Sequence, residues 1–209
     1  MAINLTIAAD VVDISVDQPT EKDTFLVDTN VWYWMTYTKA SHVGAKKYQT
    51  IKYPQYTNDA LNARARIYQS PMSLAELSHV IERSERDIYN KALANPALEL
   101  GTKEFRHNCA PERHTVCSEI QAACIQVTAL ADPLTVTLDG DASDAFVSRV
   151  PTDSVDGYDL FILEAMQAHG VTQVVTDDGD FATIPGIRVF TANPTVIAAA
   201  KTQGRLVVR

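Results

Sequence analysis

The sequence has few cysteines, no long apolar run and no signal-peptide pattern, and these absences narrow its class. Its 209 residues contain three cysteines, Cys109, Cys117 and Cys124, an odd number that does not form a disulfide framework. No apolar run approaches the roughly 20 residues that span a bilayer. Residues 1–17 lack the basic start and the apolar centre of a signal peptide. We therefore expect a cytoplasmic protein that does not contact a membrane.

The charge of the chain is unevenly distributed along its length. Hydrophobic residues make up 46% of the sequence and charged residues 21%, which is typical of one soluble folded unit. The net charge is −8, yet residues 132–180 hold eleven acidic residues and one basic residue, whereas residues 39–113 hold twelve basic and eight acidic ones. The basic segment suits phosphates and the acidic segment suits cations, although both patterns are also typical of solvated surface.

Strand and helix patterns alternate, which predicts an α/β fold with a parallel sheet covered on both faces. Short apolar runs predict strands at 24–27, 66–71, 134–138, 171–176, 187–190 and, as an edge strand, 205–208. Helical patterns occupy 29–38, 141–150 and 158–170 and begin at Ser73, Pro111 and Asn193. The signals are weakest at 1–23 and 39–65. We expect an N-terminal extension over 1–23 and one domain with helical elaborations over 24–209.

Acidic residues follow the predicted strands. Asp28 ends the first strand, Asp178 and Asp180 follow the strand at 171–176, and Glu76 and Asp159 lie in the predicted first turns of two helices. In parallel sheets, sites lie at the carboxyl ends of the strands. We therefore expect these carboxylates to meet at one rim of the sheet.

Each acid also has an explanation that needs no function. Glu76 and Ser73 spell Ser-x-x-Glu, the pattern of a capping box. Asp159 and its neighbour Asp156 favour a helix N-terminus through the helix dipole. Asp28 has the character of an N-cap, and the acids on either side of Gly179 are typical of a turn. The four explanations are sound one by one, but together they require four independent caps and turns to select carboxylates at the same rim.

Four stretches resemble, in order, the four acidic motifs of the PIN-domain nucleases: FLVDTNVWYW, SPMSLAELSHV, GYDLFILEAMQAHG and VVTDDGDF. The resemblance runs from about Thr24 to Asn193 and is strongest to the ribonuclease toxins of type II toxin–antitoxin systems. It implies a three-layer α/β/α domain whose carboxylates bind Mg²⁺ or Mn²⁺ and hydrolyse RNA. It also implies an antitoxin protein as a partner and a homodimer. The gaps on either side of Glu76 look longer than in compact members, and the segment before Thr24 is extra.

The resemblance assigns a role to each motif residue. Asp28, Glu76, Asp159 and Asp178 match the four catalytic acids; we expect Asp28, Asp159 and Asp178 to ligate the metal, and Glu76 and Asp180 to contribute directly or through water. Asn30 and Thr176 match polar residues that support the ligands through hydrogen bonds. Asp177 falls on a variable position, so that Asp177→Asn is expected to cost little.

The predicted chemistry explains why carboxylates are crowded after one strand. Mg²⁺ takes oxygen ligands and keeps several waters, and it offsets the charge that develops at phosphorus during hydrolysis. Basic side chains would hold the RNA backbone; the candidates are Lys46, Lys47, Arg83 and Arg86. Tyr48, Tyr53 and Tyr56 are equally suited to stacking on bases and to packing against the domain.

Two other functions are compatible with a fold of this class. A PIN-like module that binds RNA or protein without cutting would have no need for a repulsive acid cluster. A phosphatase of the haloacid dehalogenase type requires a second aspartate two residues after the first. Here that position is Asn30, which disfavours the phosphatase.

Overall fold

Six parallel strands form the centre of the computed structural model, which describes residues 4–42 and 44–209. The sheet has the order β1-β6-β5-β2-β3-β4, and every pair of neighbouring strands is parallel. The strands are β1 Asp10–Asp13, β2 Thr24–Val27, β3 Arg66–Gln69, β4 Asp132–Pro133, β5 Gln173–Val175 and β6 Arg188–Thr191. The first three residues of the predicted extension and Val43 lie outside the described part of the chain.

Eight α-helices connect and cover the strands in the described residues. They are α1 Thr29–Thr36, α2 Lys47–Asn62, α3 Pro71–Ala92, α4 Thr102–Asn108, α5 Ala110–Leu130, α6 Gly140–Arg149, α7 Gly157–Ala168 and α8 Pro194–Thr202. Most begin at polar caps; the side chain of Ser70, for example, accepts from the N–H of Met72 before α3, and that of Asn193 accepts from Thr195 at α8. No helix of the described chain is long and apolar enough to cross a membrane.

The strands alternate their side chains between two apolar cores. Phe25 and Val27 of β2 face the core that α1, α2, α3 and α5 complete. Leu26, between them in sequence, faces the opposite core, which α7 and α8 complete. Because successive residues of a strand point to opposite faces, four residues of β2 contribute to both layers. The prediction of a three-layer α/β/α fold with a parallel sheet is therefore confirmed.

Several predicted boundaries were wrong. The fourth strand is Asp132–Pro133, and 134–138 contains no strand residues. Residues 205–208 contribute a single bridge, between Leu206 and Val11, rather than an edge strand. Helix α3 begins at Pro71 after the cap Ser70, not at Ser73. Ser73 is thus inside the helix and Glu76 lies in its second turn, which removes the capping-box explanation for that pair.

Candidate active site

The two central strands bring the first and last acidic motifs together. Strands β2 and β5 are neighbours in the sheet, and Asp28 follows β2 directly, just as Thr176 follows β5. The N–H of Asp28 continues the sheet pairing by donating to the carbonyl of Val175 at 3.1 Å. Because both strands run in the same direction, the side chains that follow them emerge at one rim.

The carboxylate of Asp28 is buried and held on both oxygens. Its side chain is the N-cap of α1, where Oδ1 accepts from the N–H of Thr29 at 2.6 Å. Its Oδ2 accepts from Asn30 Nδ2 and from Thr176 Oγ1, each at 2.6 Å. The N-cap explanation for Asp28 is therefore correct, and it coexists with a fixed carboxylate at the rim. Asn30 and Thr176 lie where the resemblance predicts, in direct contact with the first acid.

The last motif forms a turn that starts from the same threonine. Thr176 Oγ1 accepts from the N–H of Asp178 at 2.9 Å, and Asp178 Oδ1 accepts from the N–H of Asp180 at 2.9 Å. The side chain of Asp178 thus bonds to the backbone two residues ahead, as aspartates in turns do. Its second oxygen, Oδ2, is not used in this turn. The turn explanation is correct for Asp178 and leaves one oxygen for other ligands.

Glu76 approaches the first motif from α3. The buried hydroxyl of Thr29 lies near enough to the Glu76 carboxylate to lower its pKa, although it has no partner in hydrogen-bond geometry among the residues that the structure describes. The charges of Asp156 and Asp178 act in the opposite direction on Glu76 and, with burial as the largest cause, raise its pKa. A buried hydroxyl without a partner is uncommon in folded proteins and marks a position where a further polar ligand fits.

Helix α7 supplies two acids. Asp156 is its N-cap, and its Oδ1 accepts from the N–H groups of Tyr158 and Asp159 at 2.9 and 3.2 Å. Asp159, in the first turn, is 6% exposed. The sequence singled out Asp156 only as a favourable helix terminus. Its charge nevertheless reaches Glu76, Asp159 and Asp180.

These acids act on one another electrostatically, and we refer to Asp28, Glu76, Asp156, Asp159, Asp178 and Asp180 as the acid cluster. Burial, followed by the charges of Glu76 and Asp178, raises the pKa of Asp28 to about 7 against the hydrogen bonds that lower it. Burial, followed by the charges of Asp28 and Asp156, raises the pKa of Asp159 to about 9. Burial and the charge of Asp178 also raise the pKa of Asp180. Without a counter-charge, burial and these repulsions therefore favour the protonated forms of Asp28, Asp159 and Asp180.

The residues of the acid cluster have the chemistry that Mg²⁺ or Mn²⁺ requires. No group of three or more His, Cys, Asp or Glu side chains in the described residues already converges as a ligand set. Mg²⁺, however, is usually held by one or two carboxylates and several waters rather than by a complete protein cage. All six acids offer oxygen donors, and Thr29 adds a buried hydroxyl that has no hydrogen-bond partner within the described part of the chain. The donor set fits a hard divalent cation.

The predicted basic residues have different surroundings. Lys46 and Lys47 are exposed at the start of α2, next to Tyr48 and Gln49, whose side chains hydrogen-bond to Asp177; these lysines therefore flank the last motif. Arg83 is exposed, and its charge lowers the pKa of Glu76.

Arg86 is engaged elsewhere, and two of the three tyrosines are buried. The guanidinium of Arg86 donates to Asp87 at 2.9 Å and to Thr102 at the start of α4, so it is engaged away from the acid cluster. Tyr53 and Tyr56 are buried. Of the two roles open to these tyrosines, packing against the domain is the one that the structure supports.

One of three comparisons with known proteins identifies a family. The family model described as PIN domain matches residues 25–187. Among solved structures, the chain is similar to one from the crystal structure of FitAcB from Neisseria gonorrhoeae, with a TM-score of 0.41 and 14% sequence identity over 80% of this chain and 96% of that chain. No curated protein sequence matches significantly.

Proposed function

This chain belongs to the PIN-domain family, whose members are generally metal-dependent nucleases, and from that premise we propose that it is an endoribonuclease dependent on Mg²⁺ or Mn²⁺. The observation that carries the proposal is the mutually repelling acid cluster, in which Asp28 and Asp159 are buried. Burial and neighbouring charges raise the pKa of Asp28 and of Asp159, which is a cost to the folded protein without a cation. A module that only binds RNA or protein has no use for such a cost.

The proposed roles come from the sequence motifs, and the hydrogen bonds around Asp28 support them. Asp28, Asp159 and Asp178 hold the ion, while Glu76 and Asp180 bind its waters or contact it directly. When bound, the ion supplies a nucleophilic water at neutral pH and stabilises charge on the phosphate. Asn30 and Thr176 fix the Asp28 carboxylate through their 2.6 Å hydrogen bonds, so that its oxygens keep one orientation towards the site.

Substrate binding is proposed to use the basic side chains beside the last motif. Lys46 and Lys47 are exposed at the start of α2, and Arg83 lies close enough to Glu76 to affect its pKa. Cations in these places would attract the phosphates of RNA to a rim that is otherwise acidic. Arg86 contributes less under this proposal, because its donors already bind Asp87 and Thr102.

We extend the proposal to a biological role as the toxin of a toxin–antitoxin pair, on the strength of the sequence resemblance. A small antitoxin would then be a partner, and a homodimer is the expected state. Inducible expression tests the role: the wild-type chain should arrest growth, and the Asp159→Asn chain should not. Growth arrest by both chains would contradict a toxic action through cleavage.

The test of the chemistry is cleavage of labelled single-stranded RNA in Mn²⁺ and in EDTA. Wild-type protein should cut RNA only with the ion, and Asp159→Asn should not cut. Asp59→Asn is the matched control, because Asp59 is exposed on α2 and makes no side-chain hydrogen bond in the described structure. Metal-dependent RNA binding without cleavage by pure wild-type protein would instead support the non-catalytic module, and cleavage of DNA alone would remove RNA as substrate.

A further inference from the structure

Asp177 lies between two residues of the proposed site and is bound mainly by side chains of α2. Its carboxylate accepts from Tyr48 Oη at 3.1 Å, from Gln49 Nε2 at 2.6 Å and from Tyr53 Oη at 2.6 Å. Tyr53 is fully buried. Three donors from six consecutive residues of one helix thus converge on one carboxylate, which is far more than a variable turn residue requires.

The backbone of Asp177 is held as well. Its N–H donates to Asn30 Oδ1 at 3.3 Å, and its carbonyl accepts from Asn193 Nδ2 at 2.8 Å. Tyr53 Oη also accepts from the N–H of Ala192 at 2.9 Å, which connects the same hydroxyl to the end of β6. Every polar group of Asp177 therefore has a partner, and its position is fixed from three elements.

Fixing Asp177 fixes the residues on either side of it. Thr176 donates the 2.6 Å hydrogen bond to Asp28, and Asp178 is a proposed metal ligand. Both are one peptide unit from Asp177, so a shift of its Cα moves both. Outer partners of metal ligands commonly decide the orientation of the ligands themselves.

We propose that α2 positions the acid cluster through Asp177, so that Tyr48, Gln49 and Tyr53 are positioning residues of the nuclease. This proposal rests on the proposed function and adds to the sequence motif, which treats Asp177 as a variable position. Asp177 holds the turn from which Asp178 and Thr176 act, and it does not itself contact the substrate. The helix in the weakly patterned segment 39–65 is then part of the catalytic apparatus rather than an elaboration.

A polarity swap tests the contact between Asp177 and Gln49. Gln49→Glu places a second carboxylate against Asp177, and Asp177→Asn places an amide N–H₂ against the donor Nε2; each single variant loses the 2.6 Å hydrogen bond. In the double variant, the new amide N–H₂ at position 177 donates to the new carboxylate at position 49, and the amide oxygen still accepts from Tyr53. We expect each single variant to lower kcat by about 10-fold, which is the low end of the effect of residues that hydrogen-bond to metal ligands. KM for RNA should stay unchanged. The double variant should recover most of the lost kcat.

Two controls on the same helix separate positioning from stability. Gln55→Leu changes an exposed glutamine that makes no side-chain hydrogen bond in the described structure. Tyr56→Phe removes the hydroxyl of a buried tyrosine that donates to Asp17 at 2.6 Å, and its comparison is Tyr53→Phe. We expect Tyr53→Phe to lower kcat and both controls to leave kcat at the wild-type value when all are assayed well below their melting temperatures.

The rise in melting temperature that Mn²⁺ produces provides a readout that needs no activity. It should be smaller for Gln49→Glu and Asp177→Asn than for wild type, and should return in the double variant. If wild-type protein does not cleave RNA, the proposed function fails, and the Mn²⁺ shift alone then decides the positioning role. Any of three results would overturn the proposal. The first is an equal Mn²⁺ shift in melting temperature for wild type and the single variants. The others are a double variant whose kcat and Mn²⁺ shift are no larger than those of the worse single variant, and equal kcat for Tyr53→Phe and Tyr56→Phe.

Discussion

At the scale of the residue, Asp28 caps a helix and belongs to the acid cluster at the same time. The N–H of Thr29 and the hydroxyl of Thr176 lower its pKa, but burial and the charges of Glu76 and Asp178 outweigh them. A capping aspartate on the protein surface would not show these opposing effects on its pKa. The position of Asp28 at the end of a strand was predictable, because the sequence has an aspartate directly after a short apolar run. Its hydrogen bonds from Thr29 and Asn30 are local, whereas the one from Thr176, 148 positions away, was expected only from the family resemblance.

The sequence predicted other site residues for similar reasons. Asp159 and Asp178 lie in the expected contexts, after a helix cap and after a strand. Glu76 lies one turn further into its helix than predicted, because Ser70 and Pro71 form a stronger start signal than Ser73. The effect of Asp156 on its neighbours depends on how α7 packs beside α3, and such tertiary contacts leave no pattern in a single sequence.

Replacing the proposed ligands should abolish activity and leave the fold intact. Asp28→Asn, Asp159→Asn and Asp178→Asn keep the shape of each side chain but lose the charge that a cation needs. We expect each to lose more than about 100-fold in cleavage rate, since even partners behind metal ligands are worth 10- to 100-fold. Rates on labelled RNA in Mn²⁺, with circular dichroism for the fold, measure this. Near-normal cutting by pure Asp159→Asn protein would disprove the assignment.

Thr176→Val tests the support of Asp28. Valine has nearly the same shape, but it cannot donate to Asp28 Oδ2 or accept from the N–H of Asp178. We expect the cleavage rate to fall about 10- to 100-fold and the free energy of unfolding to fall by about 1 to 3 kcal/mol, as for other buried groups left without a partner. Thr36→Val is the control, because the buried Thr36 hydroxyl donates within its own helix to the carbonyl of Trp32. A Thr176→Val enzyme no slower than Thr36→Val would show that this hydroxyl has no role in the site.

At the scale of the element, the helices with aliphatic stripes and the strands with apolar runs were predictable, and α2 was not. The buried positions of α2 are Tyr53, Tyr56, Thr57 and Ala60, and Pro54 lies inside it. A helix whose buried face consists of tyrosines and small residues has no clear apolar period, and an interior proline argues against a helix. Strand β1 was missed because its apolar run consists only of Val11 and Val12, with Asp10 and Asp13 on either side.

One buried carboxylate of α3, that of Glu82, connects this helix to α4 and α5 through hydrogen bonds. Glu82 of α3 accepts from Arg106 of α4 at 2.8 Å and from Arg113 of α5 at 2.9 Å, and it is 5% exposed. The hydrogen bond from Arg106 is the largest cause that lowers the pKa of Glu82. The two arginines are about one third exposed, so solvent screens the pairs and reduces their contribution to stability.

Glu82→Gln should therefore destabilise the protein in a pH-dependent way. We expect a loss of about 1 to 2 kcal/mol at pH 7, at the lower end for charged hydrogen bonds. Because the folded-state pKa of Glu82 is lowered, its contribution is fully present above the unfolded value of about 4.3 and is lost as the pH falls through the folded value. Melting temperatures of wild type and variant at pH 7, 5 and 3 in EDTA measure the difference, with Glu99→Gln, an exposed change, as control. A gap that persists unchanged at pH 3 would contradict the ionic origin.

At the scale of the whole molecule, the parallel sheet brings acids from distant parts of the chain to one rim. Asp28, Asp178 and the first turn of α7 lie at the carboxyl rim of the sheet, whereas Arg66 and Arg188 begin β3 and β6 at the opposite rim. Composition alone predicted an acidic segment at 132–180 and a more basic one at 39–113, whereas the parallel sheet brings Asp28 and Glu76, which lie outside the acidic segment, to the same rim. All strands run the same way, so that whatever follows a strand accumulates at one rim.

The acids gathered at this rim make the stability of the metal-free protein sensitive to pH. The folded pKa values of Asp28 and Asp159, about 7 and about 9, lie above the unfolded value of about 3.9. The stability associated with these groups is therefore fully present below about pH 4 and is lost as the pH rises through the folded values. A bound cation reverses the balance, since it favours the ionised forms and must displace protons at lower pH.

We therefore expect Mn²⁺ to raise the melting temperature of wild type, and to raise it more at pH 7.5 than at pH 5.5. An ion that binds only the folded form at a hundred times its Kd adds about 2.7 kcal/mol, which is about 5 to 10 °C for a domain of this size. In EDTA at pH 7.5, Asp178→Asn should melt above wild type, because the charge of Asp178 raises the pKa of both Asp28 and Asp159, while the asparagine oxygen can still accept from the N–H of Asp180. The variant should gain much less from Mn²⁺, whereas Asp59→Asn should behave as wild type. If turn geometry alone explained Asp178, its variant would gain as much from Mn²⁺ as wild type and would melt no higher in EDTA; that result would remove the physical basis for a carboxylate metal site at this rim.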